Sequence, residues 1–162
     1  MIKIKITLEN YQKFRSHFAH TKACEFHDCV NLLFAESNNP CVRLSAKVVN
    51  AAIAIELFLK SMLISYGISY PIKWGHELIL LFNLLPEEIK LYITSIMNID
   101  NKEFVQHLTI ASNSFVTWRY TFEKPGPSRG AYTINLDFLL SLLKCCHRAS
   151  TDVQNKRSSL NK

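Results

Sequence analysis

Residues 46–66 read AKVVNAAIAIELFLKSMLISY, and this stretch decides the fold class of the 162-residue chain. Apolar residues occupy nearly every side of its helical wheel, which is typical of a helix buried on most of its surface. Gly67 follows immediately, and glycine commonly ends a helix. The pattern therefore predicts a central helix from about residue 42 to 66, with other helices packed around it.

Two charged residues interrupt this apolar helix. Glu56 and Lys60 stand four positions apart with the acid first, the order that favours an ion pair within a helix. They share a sector of the wheel with Val49, Ile53 and Leu63, so we expect the pair to be mostly buried and hydrogen-bonded. A membrane span is disfavoured, because it would place both charges in hydrocarbon.

The remaining sequence predicts more helices and no sheet. Glycine and proline fall only between the apolar-periodic segments, which favours an all-α fold. We predict an antiparallel bundle of five or six helices, in one domain over residues 1–150, followed by a short, basic, disordered tail at 151–162. The predicted long helices lie near residues 9–36, 42–66, 101–122 and 134–150; shorter ones cover residues 76–84 and begin at Pro86. The predicted apolar face of the first helix consists of Phe18, Ala19, Phe26, Val30 and Leu33.

Composition limits the class of function. The formal net charge of +6 is compatible with an anionic partner, nucleic acid foremost. The four glycines are too scattered to form a phosphate-binding glycine loop, and no cofactor is implied. Five cysteines without a CxxC pair favour reduced thiols and a cytoplasmic protein.

A stripe of possible metal ligands runs along the first predicted helix. His17, His20, Cys24 and His27 are spaced three, four and three apart, and on a helix they lie opposite the predicted apolar face. Imidazole and thiolate bind zinc or copper, but four donors along one helix cannot surround a single ion. The alternative is a polar helix face, at a dimer interface for example.

Two other sites combine helix ends with polar side chains. Arg119 and Tyr120 end the long third-quarter helix; Arg119 could bind phosphate or a carboxylate, or it could pair with Glu123. His76 precedes a short helix, where it could donate a hydrogen bond to an anion or pack on the bundle.

These pieces together resemble the HEPN superfamily, whose name stands for higher eukaryotes and prokaryotes nucleotide-binding. Glu56 and Lys60 match its Glu-x-x-x-Lys, His76 matches its Gly-His-x-Leu, and Arg119-Tyr120 match its Arg-Tyr. The recognisable core covers residues 42–124. The resemblance implies a helical bundle that forms homodimers with a cleft between protomers. Many members are metal-independent ribonucleases of toxin–antitoxin, abortive-infection and CRISPR systems.

The catalytic signature of the family is not found at its usual place. That signature is an arginine followed, after four to six residues, by a histidine near the late long helix, and no histidine follows Arg119 in this range. Only Arg15 and His20 fit the spacing, but positions five apart differ by about 140° on a helix. An unorthodox catalytic site would need Arg119 together with His76 or His107.

The resemblance leaves three functions open. The first is a non-catalytic protein that binds RNA, a nucleotide or a protein partner in toxin–antitoxin or phage defence. The second is a ribonuclease with an unorthodox site, and the third is a structural dimer subunit of a larger complex. For the first, we expect a cleft bordered by Arg119, Tyr120 and His76, with Lys60 behind it and held by Glu56.

Overall fold

Every regular element in the described part of the chain is an α-helix. The computed structural model describes residues 8–37, 39, 41–71, 76–112 and 134–159. These ranges contain six helices, which confirms the all-α prediction. They are α1 (Leu8–Ala35), α2 (Leu44–Ser65), α3 (Leu78–Leu84), α4 (Glu87–Met97), α5 (Asn101–Ser112) and α6 (Leu136–Ser159).

Helix α2 is the centre of the bundle. It packs most extensively against α1, then against α6, and it also contacts α3. Ala51, Ile55, Phe58 and Met62 are each fully shielded from solvent. By length and hydropathy α2 would also pass as a membrane span, but 67% of its most apolar window is buried inside the protein, as in the core helix of a bundle.

Helix α2 ends in the way that its sequence predicts. Gly67 adopts a φ of 69°, in the left-handed region that glycine enters without a steric penalty. Its N–H donates to the carbonyl of Ile64, and the N–H of Ile68 donates to that of Leu63 at 2.9 Å. This pair of bonds is a Schellman motif, which satisfies carbonyls that the end of a helix leaves unpaired.

Helix α1 turns only part of its predicted face to the core. Val30 is buried and Phe26 packs against the core, as predicted, but Phe18 is 55% exposed. Ser16 and Ala23, which are outside the predicted face, are buried in its place. The Ser16 hydroxyl donates to the Ser61 carbonyl of α2. We call this contact between α1 and α2, where Ser16 meets Ser61, the seam. Its small side chains let the two helix backbones approach closely enough for such a bond. Close packing with a hydrogen bond thus outweighs the larger apolar area of Phe18.

The closing helix is longer than predicted. We expected residues 151–162 to form a disordered tail, but α6 continues to Ser159. The apolar stripe of the helix continues at the same spacing, and Leu142, Cys146, Ala149 and Val153 are all buried. Lys156, Arg157 and Lys162 are typical of a solvated tail, but the buried stripe keeps the segment packed on the bundle as far as Val153.

Helix α5 agrees with the predicted stripe as far as it is described. Phe104, Leu108 and Ala111 are buried, as expected. The second half of the predicted 101–122 helix, with Phe115, Trp118 and Arg119, lies outside the described residues.

All five cysteines are free thiols. Cys145 and Cys146 on α6 are buried, Cys24 is partly buried, and Cys29 and Cys41 are exposed. Burial raises the pKa of the Cys146 thiol far above its ordinary value, and the adjacent Cys145 raises it further.

The extended α6 contributes a polar clamp between the three long helices. The Gln154 amide donates to the hydroxyls of Ser16, Ser61 and Ser65. We expect Gln154→Ala to lower the free energy of unfolding by about 1–2 kcal/mol, because buried hydroxyls lose a partner. Urea denaturation would measure this. The neighbouring exposed Asn155→Ala is the control, and we expect it to stay within about 0.5 kcal/mol of wild type. Equal effects would contradict the clamp.

Candidate functional site

The buried carboxylate of Glu56 contacts two other residues that the sequence singles out, Lys60 and His76. The Lys60 ammonium donates to Oε1 of Glu56 at 2.5 Å, and Nδ1 of His76 lies 2.8 Å from Oε2. The Glu56 side chain is only 8% exposed, that of Lys60 is 17% exposed and that of His76 is 48% exposed. The prediction of a mostly buried, hydrogen-bonded Glu56–Lys60 pair is thus confirmed, and His76 is a second partner of Glu56.

The geometry fixes how His76 can act. A carboxylate in an ion pair only accepts hydrogen bonds, so the facing Nδ1 of His76 must carry a proton and donate it. Any chemistry of the imidazole toward a ligand then passes through its other nitrogen, Nε2. A buried carboxylate that sets the ring orientation in this way makes a histidine suitable as a hydrogen-bond donor or as a general base.

Tyr70 is a member of this site that the sequence did not reveal. The Lys60 ammonium lies 5.7 Å from the centre of its ring, close enough for a cation–π contact. Burial raises the pKa of Tyr70, Arg15 lowers it and Glu56 raises it, with a net increase, so the phenol stays protonated. Tyr70 could not be predicted from the sequence, because it stands alone between two helices and belongs to no motif or regular spacing.

A cleft of about 300 Å³ adjoins Tyr70. Arg15 lines it from α1, and Gly67 and Ile68 line it from the end of α2. The exposed guanidinium of Arg15 lies 5.7 Å from the centre of the Tyr11 ring. His20, its proposed partner in the catalytic spacing, instead accepts or donates a bond at 2.9 Å with the hydroxyl of Ser150. The two side chains therefore have separate surroundings.

Arg119 and Tyr120 lie outside the described residues, as does Gly75. The described end of α5 nevertheless lies beside the start of α3. The hydroxyl of Ser112 accepts a hydrogen bond of 2.8 Å from the N–H of Ile79, three positions after His76.

The stripe of histidines on α1 faces inward, contrary to the expectation that it lies opposite the core. The ring centre of His20 lies 5.6 Å from that of Phe58, and the His27 and His147 rings are 4.7 Å apart. Only His17 is exposed. The reason is that Ser16 and Ala23 face the core. His20 and His27 each follow one of them by four positions, so they lie on the same side of the helix.

Burial favours the neutral form of two rings in this cluster, those of His20 and His147. Burial lowers the pKa of both His20 and His147; His147 and His17 add to the lowering at His20, and His27 adds to it at His147. Cys24 lies 3.6 Å from Nε2 of His20, but burial raises the pKa of its thiol and disfavours the thiolate that a metal requires. Among the described residues, no three His, Cys, Asp or Glu side chains are arranged to hold a metal ion.

His107, the other histidine considered for catalysis, joins α5 to the beginning of α6. Its ring packs on Phe138, and Nε2 lies 3.4 Å from the side-chain amide of Asn135 and 3.5 Å from Glu103.

Most of the chain matches one known protein family. The family model described as HEPN domain matches residues 32–154, which is most of the chain. This chain belongs to the HEPN family. No curated protein and no solved structure matched it. The matched region contains the Glu56, Lys60 and His76 site and extends beyond the motif-bearing core at residues 42–124 into α6. Most of α1 precedes the matched region.

The burial of Glu56 in this HEPN domain predicts a large cost for its removal. We expect Glu56→Ala to lower the free energy of unfolding by about 3 kcal/mol, because it leaves the Lys60 ammonium with little access to water and no carboxylate. Glu87→Ala is the matched control, since Glu87 pairs with Lys90 but is 70% exposed. That variant should lose less than about 1 kcal/mol. Chemical denaturation of both compares them, and a similar small loss would contradict the buried pair.

The histidine cluster predicts sensitivity to acid. The pKa values of His20 and His147 are lower in the folded state than the ordinary 6.5, so the unfolded chain takes up protons first as the pH falls. The stability contribution is full above about pH 7 and decreases as the pH falls through about 6.5. Urea midpoints at pH 7.5 and 5.5 would measure the decrease.

Replacement of one ring tests the source of this acid sensitivity. His20→Asn keeps a polar group near Ser150 and should reduce the difference between the two midpoints. His107→Asn, outside the cluster, should retain it. If the two urea midpoints of His20→Asn differ as much as those of the wild type, the acid sensitivity does not come from His20.

Proposed function

We propose that this HEPN protein binds RNA through a backbone phosphate without cleaving it. The proposed cleft is bordered by His76, Arg119 and Tyr120, with Lys60 behind it. The observation that carries the proposal is the buried Glu56, which holds Lys60 and His76 in fixed positions while leaving about half of the His76 side chain exposed. Binding groups set by a rigid second layer lose little conformational freedom when a ligand arrives.

The charges of the described site residues favour Arg119 as the main anion-binding group of the proposed cleft. Glu56 neutralises Lys60, and His76 donates to the same carboxylate, so these three side chains add little net positive charge. A phosphate needs a further cation, and a guanidinium binds it with two parallel hydrogen bonds. The HEPN resemblance suggests Arg119 for this role through its Arg-Tyr motif, with Tyr120 beside it.

The family and the composition suggest the setting. The net charge of +6 favours a polyanionic ligand. We propose a cytoplasmic homodimer, with its five thiols reduced, that acts in a toxin–antitoxin or phage-defence system, as the HEPN resemblance implies.

A second candidate is metal-independent RNA cleavage, and the Glu56–His76 contact favours it. An imidazole oriented by a carboxylate can remove the proton of a ribose 2′-hydroxyl, while an arginine stabilises the charge that develops on the phosphate. The non-catalytic function is preferred because the arginine–histidine signature of the catalytic members does not follow Arg119.

Arg119→Ala distinguishes a binding role from an architectural one. We expect RNA affinity to fall about tenfold or more, since charge-assisted hydrogen bonds contribute about 1.5–3 kcal/mol each. The thermal unfolding midpoint should stay unchanged. Fluorescence anisotropy with a labelled single-stranded RNA, at fixed salt and with chelator present, measures the affinity. Arg148→Ala removes an exposed charge from α6 and is the matched control.

Two outcomes would overturn parts of this proposal. A large loss of stability in Arg119→Ala with affinity intact would make Arg119 a structural residue. Shortened RNA on a denaturing gel of the same samples, absent with His76→Ala, would establish the second candidate in place of the first.

A further inference from the structure

A second polar cleft lies between the first half of α1 and the last turns of α6. Its volume is about 220 Å³, and none of the described residues that line it is acidic. They are Lys13, His17 and His20 from α1 and Thr151, Gln154, Asn155 and Arg157 from α6. Lys13 and His17 precede residue 32, where the HEPN family match begins, so this cleft is partly formed by sequence outside the matched region.

The cleft has a rigid floor. The Gln154 amide is held by Ser16, Ser61 and Ser65, and His20 is held at 2.9 Å by Ser150. These bonds join all three long helices beneath the cleft. Side chains on two packed helices with fixed partners are preorganised, so a ligand would not have to order them.

The charge of the cleft favours an anion. Lys13 and Arg157 are cations at neutral pH, and no described acidic side chain forms an ion pair with Lys13. The exposed His17 and the Asn155 amide add hydrogen-bond donors. The Thr151 hydroxyl already donates to the His147 carbonyl, so it adds an acceptor rather than a donor. Two cations together with these hydrogen-bond donors match an anion with several oxygens.

The size of the cleft narrows the ligand further. Sites for drug-sized ligands occupy about 300–1,000 Å³, and this cleft is smaller. A whole nucleotide would extend into solvent, whereas a single phosphate group with its bound water fits inside. From the volume, the lining charge and the fixed floor, we propose that this cleft binds a terminal phosphate group. The site is separate from the proposed RNA cleft at His76 and does not depend on it.

Titration with inorganic phosphate at constant ionic strength tests the site directly. Amide chemical shifts of α1 and α6 should move and saturate, and Lys13→Ala should weaken binding by about fivefold or more, because it removes one of two cations. Lys13→Arg should restore most of the affinity. Lys13 is exposed, so its replacement should leave the unfolding midpoint unchanged. Lys22→Ala is the matched control on the same helix, where Lys22 pairs with Glu25.

A second arm identifies the source of the phosphate. A short RNA with a 5′-phosphate is compared with the same RNA carrying a 5′-hydroxyl. Tighter binding of the phosphorylated RNA by about tenfold, lost in Lys13→Ala, would assign the cleft to an RNA end. Equal binding of both RNAs, together with saturable binding of inorganic phosphate, would assign it to free phosphate.

The inference is overturned if inorganic phosphate shows no saturable binding and the two RNAs bind alike. It is also overturned if Lys22→Ala weakens phosphate binding as much as Lys13→Ala does, since general attraction would then explain the result. Arg119→Ala should leave phosphate binding here unchanged. A failure of the RNA proposal at His76 would therefore not be mistaken for a failure of this site.

Discussion

The structure depends on keeping the Glu56 carboxylate charged inside an apolar helix. An unpaired charge at such a position would cost several kcal/mol, so both oxygens need partners. Lys60 comes from the next turn of the same helix and could meet Glu56 in any helix. His76 comes from twenty positions away, and its bond therefore ties the start of α3 to the middle of α2. The same contact that stabilises the fold thus positions the side chain on which the proposed RNA cleft depends.

The second determinant is the seam where α1, α2 and α6 meet. Serines take the positions where apolar residues would normally pack, and the Gln154 amide links three of them. Hydrogen bonds contribute about 1 kcal/mol each but depend on direction, whereas apolar contacts depend mainly on area. A polar seam therefore selects one rotation of α1 about its axis. That rotation turns the histidines inward and exposes Tyr11, Phe14 and Phe18.

Local patterns predicted what depends on local spacing. The central helix, its glycine end and the Glu56–Lys60 pair follow from contacts within one or two turns. The rotation of α1 did not follow, because hydropathy ranks Phe18 above Ser16, whereas the decisive bond runs to Ser61 on another helix. The length of α6 was missed because its charged residues suggested a tail although the stripe continues to Val153. His76 was found by motif, but its bond to Glu56 and the role of Tyr70 depend on tertiary packing.

The positions of the thiols allow the opening of the core to be measured by chemical modification. Cys29 and Cys41 are exposed, whereas Cys146 is inaccessible in the core and its raised pKa keeps it from forming the reactive thiolate. An alkylating reagent should therefore modify the first two in the native state and reach Cys146 only when α6 separates from the bundle. The rate of that slow modification measures how often the core opens, without any label added to the chain.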